Sequence, residues 1–187
     1  MKQLYMIRHS KVQIDPTTEP THWTLSDVGI QAAREMALRE DWHHLKMIYH
    51  SPEPKAEQTA KIVAETIGAT CKVHHDLREL EMRTGFLSAS DFQMKVSEYF
   101  MGKPDPDFED FQAAQKRIRK AVASILDETN ESVGIVSHGR IITAFYSDLL
   151  GRRITSEEWK SIRLPDLSVI EIPTWKIVRG FFSTINE

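Results

Sequence analysis

The chain has 187 residues, 41% of them hydrophobic and 27% charged, which is ordinary globular composition and enough length to enclose a full core as one domain. A formal net charge of −3 excludes a global electrostatic case for nucleic acid or an anionic membrane, and a single cysteine excludes an internal disulfide framework. No apolar run approaches the about 20 residues of a membrane span and no leader is read, so a cytoplasmic protein with no nucleic-acid or membrane partner is expected.

Residues 3–7 are short, apolar and bounded by charge, which predicts a buried strand. A loop with Pro16, Pro20 and Trp23 follows. Ser26 is placed to cap a helix with Asp27 in its first turn, and Leu25, Val28, Ala32 and Met36 form the expected apolar stripe. A second strand is expected at 46–50. Ser51-Pro52-Glu53-Pro54 reads as a turn into a second helix, with Ala56, Ala60, Val63 and Ile67 inward and Gly68 at its end. A short strand around 71–74, with Cys71 expected as a buried inert thiol, leads to a loop from Asp76 to Ser90.

Helices near 90–101 and 108–128 flank the breaker Gly102-Lys103-Pro104-Asp105-Pro106. Phe92, Met94, Tyr99, Phe100 and Met101 are expected to pack the core of a cap helix rather than line a pocket. Phe111, Ala114, Ile118, Val122 and Ile125 mark the buried face of the longer helix. A strand at 133–137, a helix from about 140 to 150 ended by Gly151, and a strand pair near 168–172 and 176–182 complete the chain. Strands alternating with helices predict an α/β fold of three layers, α/β/α, with a mainly parallel sheet and an antiparallel edge from the closing pair. Residues 1–187 read as one domain, with a small cap or insert around 86–112.

Two histidines each follow a predicted strand: Arg8-His9-Ser10 after the first, and Ser137-His138-Gly139 after the strand at 133–137. Ligands of open parallel sheets bind beyond the carboxyl ends of the strands, where strand order reverses. Two such strands can aim both imidazoles into one pocket, with Arg8 beside the first, and phosphate is the first candidate for an anion there. The pairs His43-His44 and His74-His75 do not make a chelate, because adjacent residues alternate across a strand and do not share a helix face. No metal and no cofactor are expected.

Five segments together resemble the histidine phosphatase superfamily, the phosphoglycerate-mutase-like fold: Arg8-His9-Ser10, Leu25-Ser26-x-x-Gly29-x-Gln31-Ala32, Ser51-Pro52-x-x-Lys55-Ala56-x-Gln58-Thr59-Ala60, Leu77-Arg78-Glu79-Leu80 and Ser137-His138-Gly139. The resemblance implies a phosphoric monoester hydrolase with three catalytic residues. His9 would be the nucleophile, His138 a hydrogen-bond donor to the phosphoryl oxygens, and Glu79 the acid for the leaving alcohol and then the base for water. Arg8, Lys55, Ser10 and Gly139 would bind the phosphate. An acid working near neutrality needs a raised pKa, so the pocket is expected to raise that of Glu79.

The chain departs from the family pattern at several of these places. Ser10 stands for a glycine, and Lys55 for an arginine, which keeps the charge but loses the planar fork. Val12 and Asp15 fall where polar phosphate ligands are usual, and Arg83 where a glycine is expected, so Arg83, Lys11 and Arg140 become candidates to supply charge. Glu81 competes with Glu79. The reading is a metal-independent phosphatase of a small phosphorylated substrate, with a second copy of the chain as a candidate partner. Its rivals are a phosphohistidine protein phosphatase and a phosphate-recognising regulatory module; a phosphoglycerate mutase is less favoured because the chain is short and compact after Glu79.

Overall fold

A computed structural model describes residues 1–43 and 45–182; His44, of the pair expected not to make a chelate, lies outside these residues. Six strands form one sheet: β1 (Lys2–Arg8), β2 (Met47–His50), β3 (Thr70–Val73), β4 (Val133–Ser137), β5 (Asp166–Ile172) and β6 (Lys176–Arg179). Their spatial order is β3-β2-β4-β1-β5-β6. The first four strands run parallel, and β5 and β6 add an antiparallel edge.

Strand β1 shows why both faces must be covered. Leu4 and Met6 point to one side, Tyr5 and Ile7 to the other, and all four are fully buried. Tyr5 and Ile7 join Met36 and Ala37 of α1 (Asp27–Arg39) and Ala56, Ala60 and Val63 of α2 (Pro54–Ile67). Leu4 and Met6 join the second core with Ile118, Val122 and Ile125 of α4 (Phe111–Asp127) and Ile141, Ile142 and Phe145 of α5 (Gly139–Leu149). Helix α3 (Ala89–Phe100) adds Val96, Tyr99 and Phe100 to that core, and a short α6 (Ser156–Ser161) adds Trp159. The result is the expected three-layer α/β/α arrangement.

Three local expectations need correction. Helix α1 turns Gly29, Ala33, Met36 and Ala37 inward, while Val28 is 63% exposed and Ala32 only half-buried. The cause is Gly29: a Cβ there would stand 2.0 Å from the Lys11 carbonyl oxygen, so the glycine face of the helix presses against the β1 exit loop. Of the five side chains expected in the core at 92–101, Tyr99 and Phe100 are buried and Phe92 packs partly buried against that core, while Met94 and Met101 face solvent, because α3 meets the core along one edge. Cys71 is half-buried, and burial raises its thiol pKa.

Candidate active site

The β1–β4 pair sets the site. Arg8 lies opposite Ser137 in the parallel register, and the ladder continues one step further as the His9 N–H donates to the Ser137 carbonyl at 2.9 Å. This brings His9 and His138 side by side, with ring centroids 5.1 Å apart and planes inclined at 59°. Both rings are buried. His9 Nδ1 lies 2.7 Å from the Ser10 carbonyl oxygen. A carbonyl only accepts, so Nδ1 carries the proton and Nε2 keeps its lone pair. Burial, then the neighbouring His138, Arg8 and Lys55, hold the His9 pKa well below the usual histidine range, so the ring is neutral.

The β2–β4 ladder continues in the same way, with the Ser51 N–H on the Val136 carbonyl at 3.0 Å. That step places the Ser51 hydroxyl 2.7 Å from His138 Nε2. Glu53 is held extended before Pro54 at the entry to α2, and the turn brings Ser51, Glu53 and Lys55 of the first helical turn to the same site. The Lys55 ammonium meets the Glu53 carboxylate at 2.6 Å and the Pro20 carbonyl at 2.6 Å. The other Glu53 oxygen lies 3.4 Å from His138 Nε2 and accepts the Glu79 backbone N–H at 2.7 Å. His138 Nδ1 is buried and has no hydrogen-bond partner among the described residues.

Glu79 enters the site from the segment before α3, and Glu81 does not. The Glu81 carboxylate pairs with Arg83 at 2.7 Å on the exposed surface, which also removes Arg83 from the candidates near Glu79. Glu79 instead caps the start of α5: its oxygens accept N–H groups from Ile141 at 2.9 Å, Leu80 at 2.8 Å and Arg140 at 3.3 Å. The Arg140 side chain stands 3.3 Å away, over the faces of Phe92 and Phe108. The expected raised pKa is therefore wrong for this geometry. Burial pushes the carboxyl up, but Arg140, His138 and the backbone donors outweigh it and bring it down to about 2. A helix N-terminus offers free N–H groups and a positive dipole, which favour the ionised form.

The expected phosphate ligands divide. Arg8 reaches past the strand end, with Nη1 on the Ile162 carbonyl and Nε without a hydrogen-bond partner among the described residues. Gly139 lies against that guanidinium. Ser10 gives its hydroxyl to the Gly29 carbonyl at 2.7 Å and its N–H to Thr59 at 3.0 Å, so both donors tie β1 to the two helices behind it. Asp15 turns back onto its own loop, bonding Thr17, and Lys11 is exposed. Glu53 is the residue the sequence reading passed over as part of a turn. Its signal was a carboxylate directly before Pro54, held extended at the entry to α2 and two residues from Lys55.

An α/β sheet with paired imidazoles and converging cations at its strand ends defines an anion-handling site of the doubly wound type. The model of the histidine phosphatase superfamily (branch 1) matches residues 4–178, and the chain belongs to that superfamily. The curated "Probable phosphoglycerate mutase GpmB" of Enterobacter sp. (strain 638) is 28% identical over 186 residues, covering 92% of this chain and 85% of its own. Among solved structures, Bacillus stearothermophilus YhfR matches with a TM-score of 0.80 at 20% identity over 100% of both chains. The phosphoserine phosphatase of Entamoeba histolytica, solved as a variant with phosphoserine, matches with a TM-score of 0.76 at 19% identity over 99% of this chain and 98% of its own. These structures share the phosphoglycerate-mutase-like fold. Superfamily and relatives together support phosphoryl transfer of the phosphatase or mutase type. Among the described residues, no helix is long and apolar enough to cross a membrane.

Proposed function

We propose that the protein is a phosphatase of a small phosphomonoester that works through a phosphohistidine on His9 and needs no metal ion. One observation carries the reading: His9 is buried, neutral and fixed through Nδ1, so Nε2 presents a lone pair beside His138 and three cationic side chains. Nε2 attacks phosphorus while the ester P–O bond breaks. The leaving alkoxide takes a proton from Glu79, which then accepts one from water. The water oxygen attacks phosphorus, the N–P bond breaks, and inorganic phosphate leaves. Arg8, Lys55 and Arg140 supply charge of the kind a metal ion supplies elsewhere.

Glu79 is ionised before substrate arrives. A phosphate dianion entering beside it raises its proton affinity, so substrate binding and proton uptake go together. The residues around 86–112 form the cap of this pocket in the proposal, and Arg140 with Phe92 faces the group that carries the phosphate. The names of the relatives, a phosphoglycerate mutase and a phosphoserine phosphatase, support a small phosphorylated acid as the first class to screen.

Phosphate release from p-nitrophenyl phosphate between pH 4.5 and 8, with a chelator present, tests the reading. Turnover that His9→Ala abolishes, with a phosphohistidine trapped in the parent, is the expected result. Equal turnover by parent and His9→Ala, or activity that a chelator removes and a divalent metal restores, overturns it.

A further inference from the structure

Glu53 is placed where an acidic residue ordinarily serves its own helix. It is the N-cap of α2, yet its side chain makes no capping bond there. Both oxygens turn into the site, with the side chain only 8% exposed. One oxygen holds the Lys55 ammonium at 2.6 Å; the other accepts the Glu79 N–H at 2.7 Å and faces His138 Nε2 at 3.4 Å. Three of the residues that the phosphatase reading requires are therefore joined through one carboxylate. Among the described residues, no other side chain of the site is hydrogen-bonded or ion-paired with all three.

We infer that Glu53 is a positioning residue of this site: it fixes the ring state of His138, holds Lys55 at the pocket wall and ties down the segment that carries Glu79. The inference rests on the phosphatase reading for its kinetic consequences, but its geometry stands without turnover. His138 Nε2 has the Ser51 hydroxyl at 2.7 Å, which can accept or donate, and the Glu53 carboxylate, paired with Lys55, at 3.4 Å, which can only accept, so in the proposal Nε2 carries the hydrogen and Ser51 accepts. In the neutral ring, His138 is then protonated at Nε2 and bare at Nδ1, and it has no second donor for a phosphoryl oxygen. Uptake of a proton from solvent makes both nitrogens donors.

The surroundings of His138 oppose one another. Burial disfavours a charged ring, as do Lys55 from α2, Arg140 from α5 and Arg8 from β1. Glu79 from the 78–80 segment and Glu53 from the β2–α2 turn favour it, and Ser51 is uncharged. When phosphate enters, the balance tips toward the imidazolium, and Glu53 is the carboxylate nearest the nitrogen that must stay bonded. An opposite charge at this range moves a pKa by roughly 1–3 units. Glu53 also repels the phosphate itself, so it favours turnover over tight binding of the ground state.

The test compares the parent with Glu53→Gln, which keeps shape and one acceptor but removes the charge. Glu53→Gln is expected to lower kcat by about tenfold to a hundredfold, the usual scale for a displaced catalytic group. KM and the inhibition constant of inorganic phosphate should fall or stay level, and the alkaline limb of the kcat profile should move to lower pH. In nitrogen-15 spectra of protein saturated with inorganic phosphate, His138 should titrate at lower pH in the variant. Kinetics and titration that superpose on the parent overturn the inference. So does a loss of kcat with an unmoved pH profile, which is the mark of a merely structural role. Should Glu53→Gln not fold, the parent alone decides. Its phosphate-free spectrum must show His138 protonated at Nε2, and a ring protonated at Nδ1 overturns the assignment. A parent that hydrolyses nothing removes the phosphatase reading, while the His138 spectra still decide the role of Glu53.

Discussion

Gly139 lies flat against the guanidinium of Arg8: a Cβ at position 139 would stand 2.9 Å from Arg8 Cζ and 2.9 Å from Nε. The glycine after the second histidine is thus required by the arginine before the first. The β1–β4 pairing places the two segments side by side, and only a residue without a side chain lets Arg8 pass. The Arg8 guanidinium is also fixed by the Ile162 carbonyl, so it has little room to yield.

Gly139→Ala should therefore displace Arg8 and leave the fold standing. Overpacking of this kind costs roughly 1–3 kcal/mol. The loss in kcat/KM should be larger in proportion, about tenfold to a hundredfold, because a cation moved by a fraction of an ångström no longer meets the phosphoryl oxygens. Steady-state kinetics and urea denaturation on the same preparation check this. Activity within twofold of the parent would show that Arg8 does not touch the substrate.

Lys55 is the counter-ion of Glu53 in the structure, and in the proposed mechanism it is a phosphate cation as well. Both side chains are 8% exposed, so removing one partner leaves a buried charge alone. Lys55→Met should destabilise the protein by about 3–5 kcal/mol and lower kcat/KM. The double variant Glu53→Leu/Lys55→Met should regain most of the stability and none of the activity. Lys55→Arg should keep or raise kcat/KM, since the guanidinium offers a planar, bidentate fork. Denaturation midpoints equal for parent and Lys55→Met would show that the pair is not held in solution.

Sequence and structure agree most closely where burial is two-sided. The run Val133–Ser137 is apolar and short, and it is a strand over those same residues because both faces of β4 are covered. Helix α4 was legible from its stripe of Phe111, Ala114, Ile118, Val122 and Ile125, all buried. Helix α6 was not read because six mostly polar residues carry no periodicity. Its start was nonetheless written in Thr155 and Glu158, which form a capping box. The rotation of α1 was hidden because glycine has no hydropathy signal, yet Gly29 faces inward. At the site, His9, His138 and Glu79 were proposed from position along the chain, and the structure brings them together. The state of Glu79 was not, because it depends on the N-terminus of α5 and on Arg140, some sixty residues away in sequence.

Two buried neutral histidines also give the fold a pH dependence with a definite sign. In the folded chain the pKa values of His9 and His138 lie well below 6.5, while an unfolded histidine titrates near that value. Below it the unfolded chain binds more protons, so the folded state loses stability as pH falls. Each histidine contributes a slope of about 1.4 kcal/mol per pH unit once its unfolded form is protonated and its folded form is not. Glu79, lowered to about 2, adds its own loss only below the ordinary carboxylate range near 4.5. Between pH 6.5 and 5 the melting temperature of the phosphate-free protein should drop steadily, and His9→Ala should make the drop shallower. A melting temperature level across that window would mean that both rings stay accessible to protons in the fold.

The low pKa of Glu79 separates two kinds of substrate. An aryl leaving group such as p-nitrophenolate departs as a stable anion and needs little help from an acid. An alkoxide needs a proton as the P–O bond breaks, and Glu79 is the residue placed to give it. Glu79→Gln keeps one acceptor for the Ile141 and Leu80 N–H groups and removes the acid together with the charge that faces Arg140. It should reduce kcat/KM for an alkyl phosphate by about 10²–10⁴-fold, the range typical of a lost general acid, and for p-nitrophenyl phosphate far less. The ratio kcat/KM is the right measure because it reports steps up to loss of the leaving group, before water attack, which both substrates share. The same chemistry sets the pH trend of the parent. Glu79 must take up a proton while His9 stays neutral, so kcat/KM for the alkyl ester should rise as pH falls from 8 toward about 5, where burial and then the neighbouring cations leave His9 a free base. An equal loss for both substrates, or a rate for the alkyl ester that rises toward alkaline pH, would take the acid's role away from Glu79.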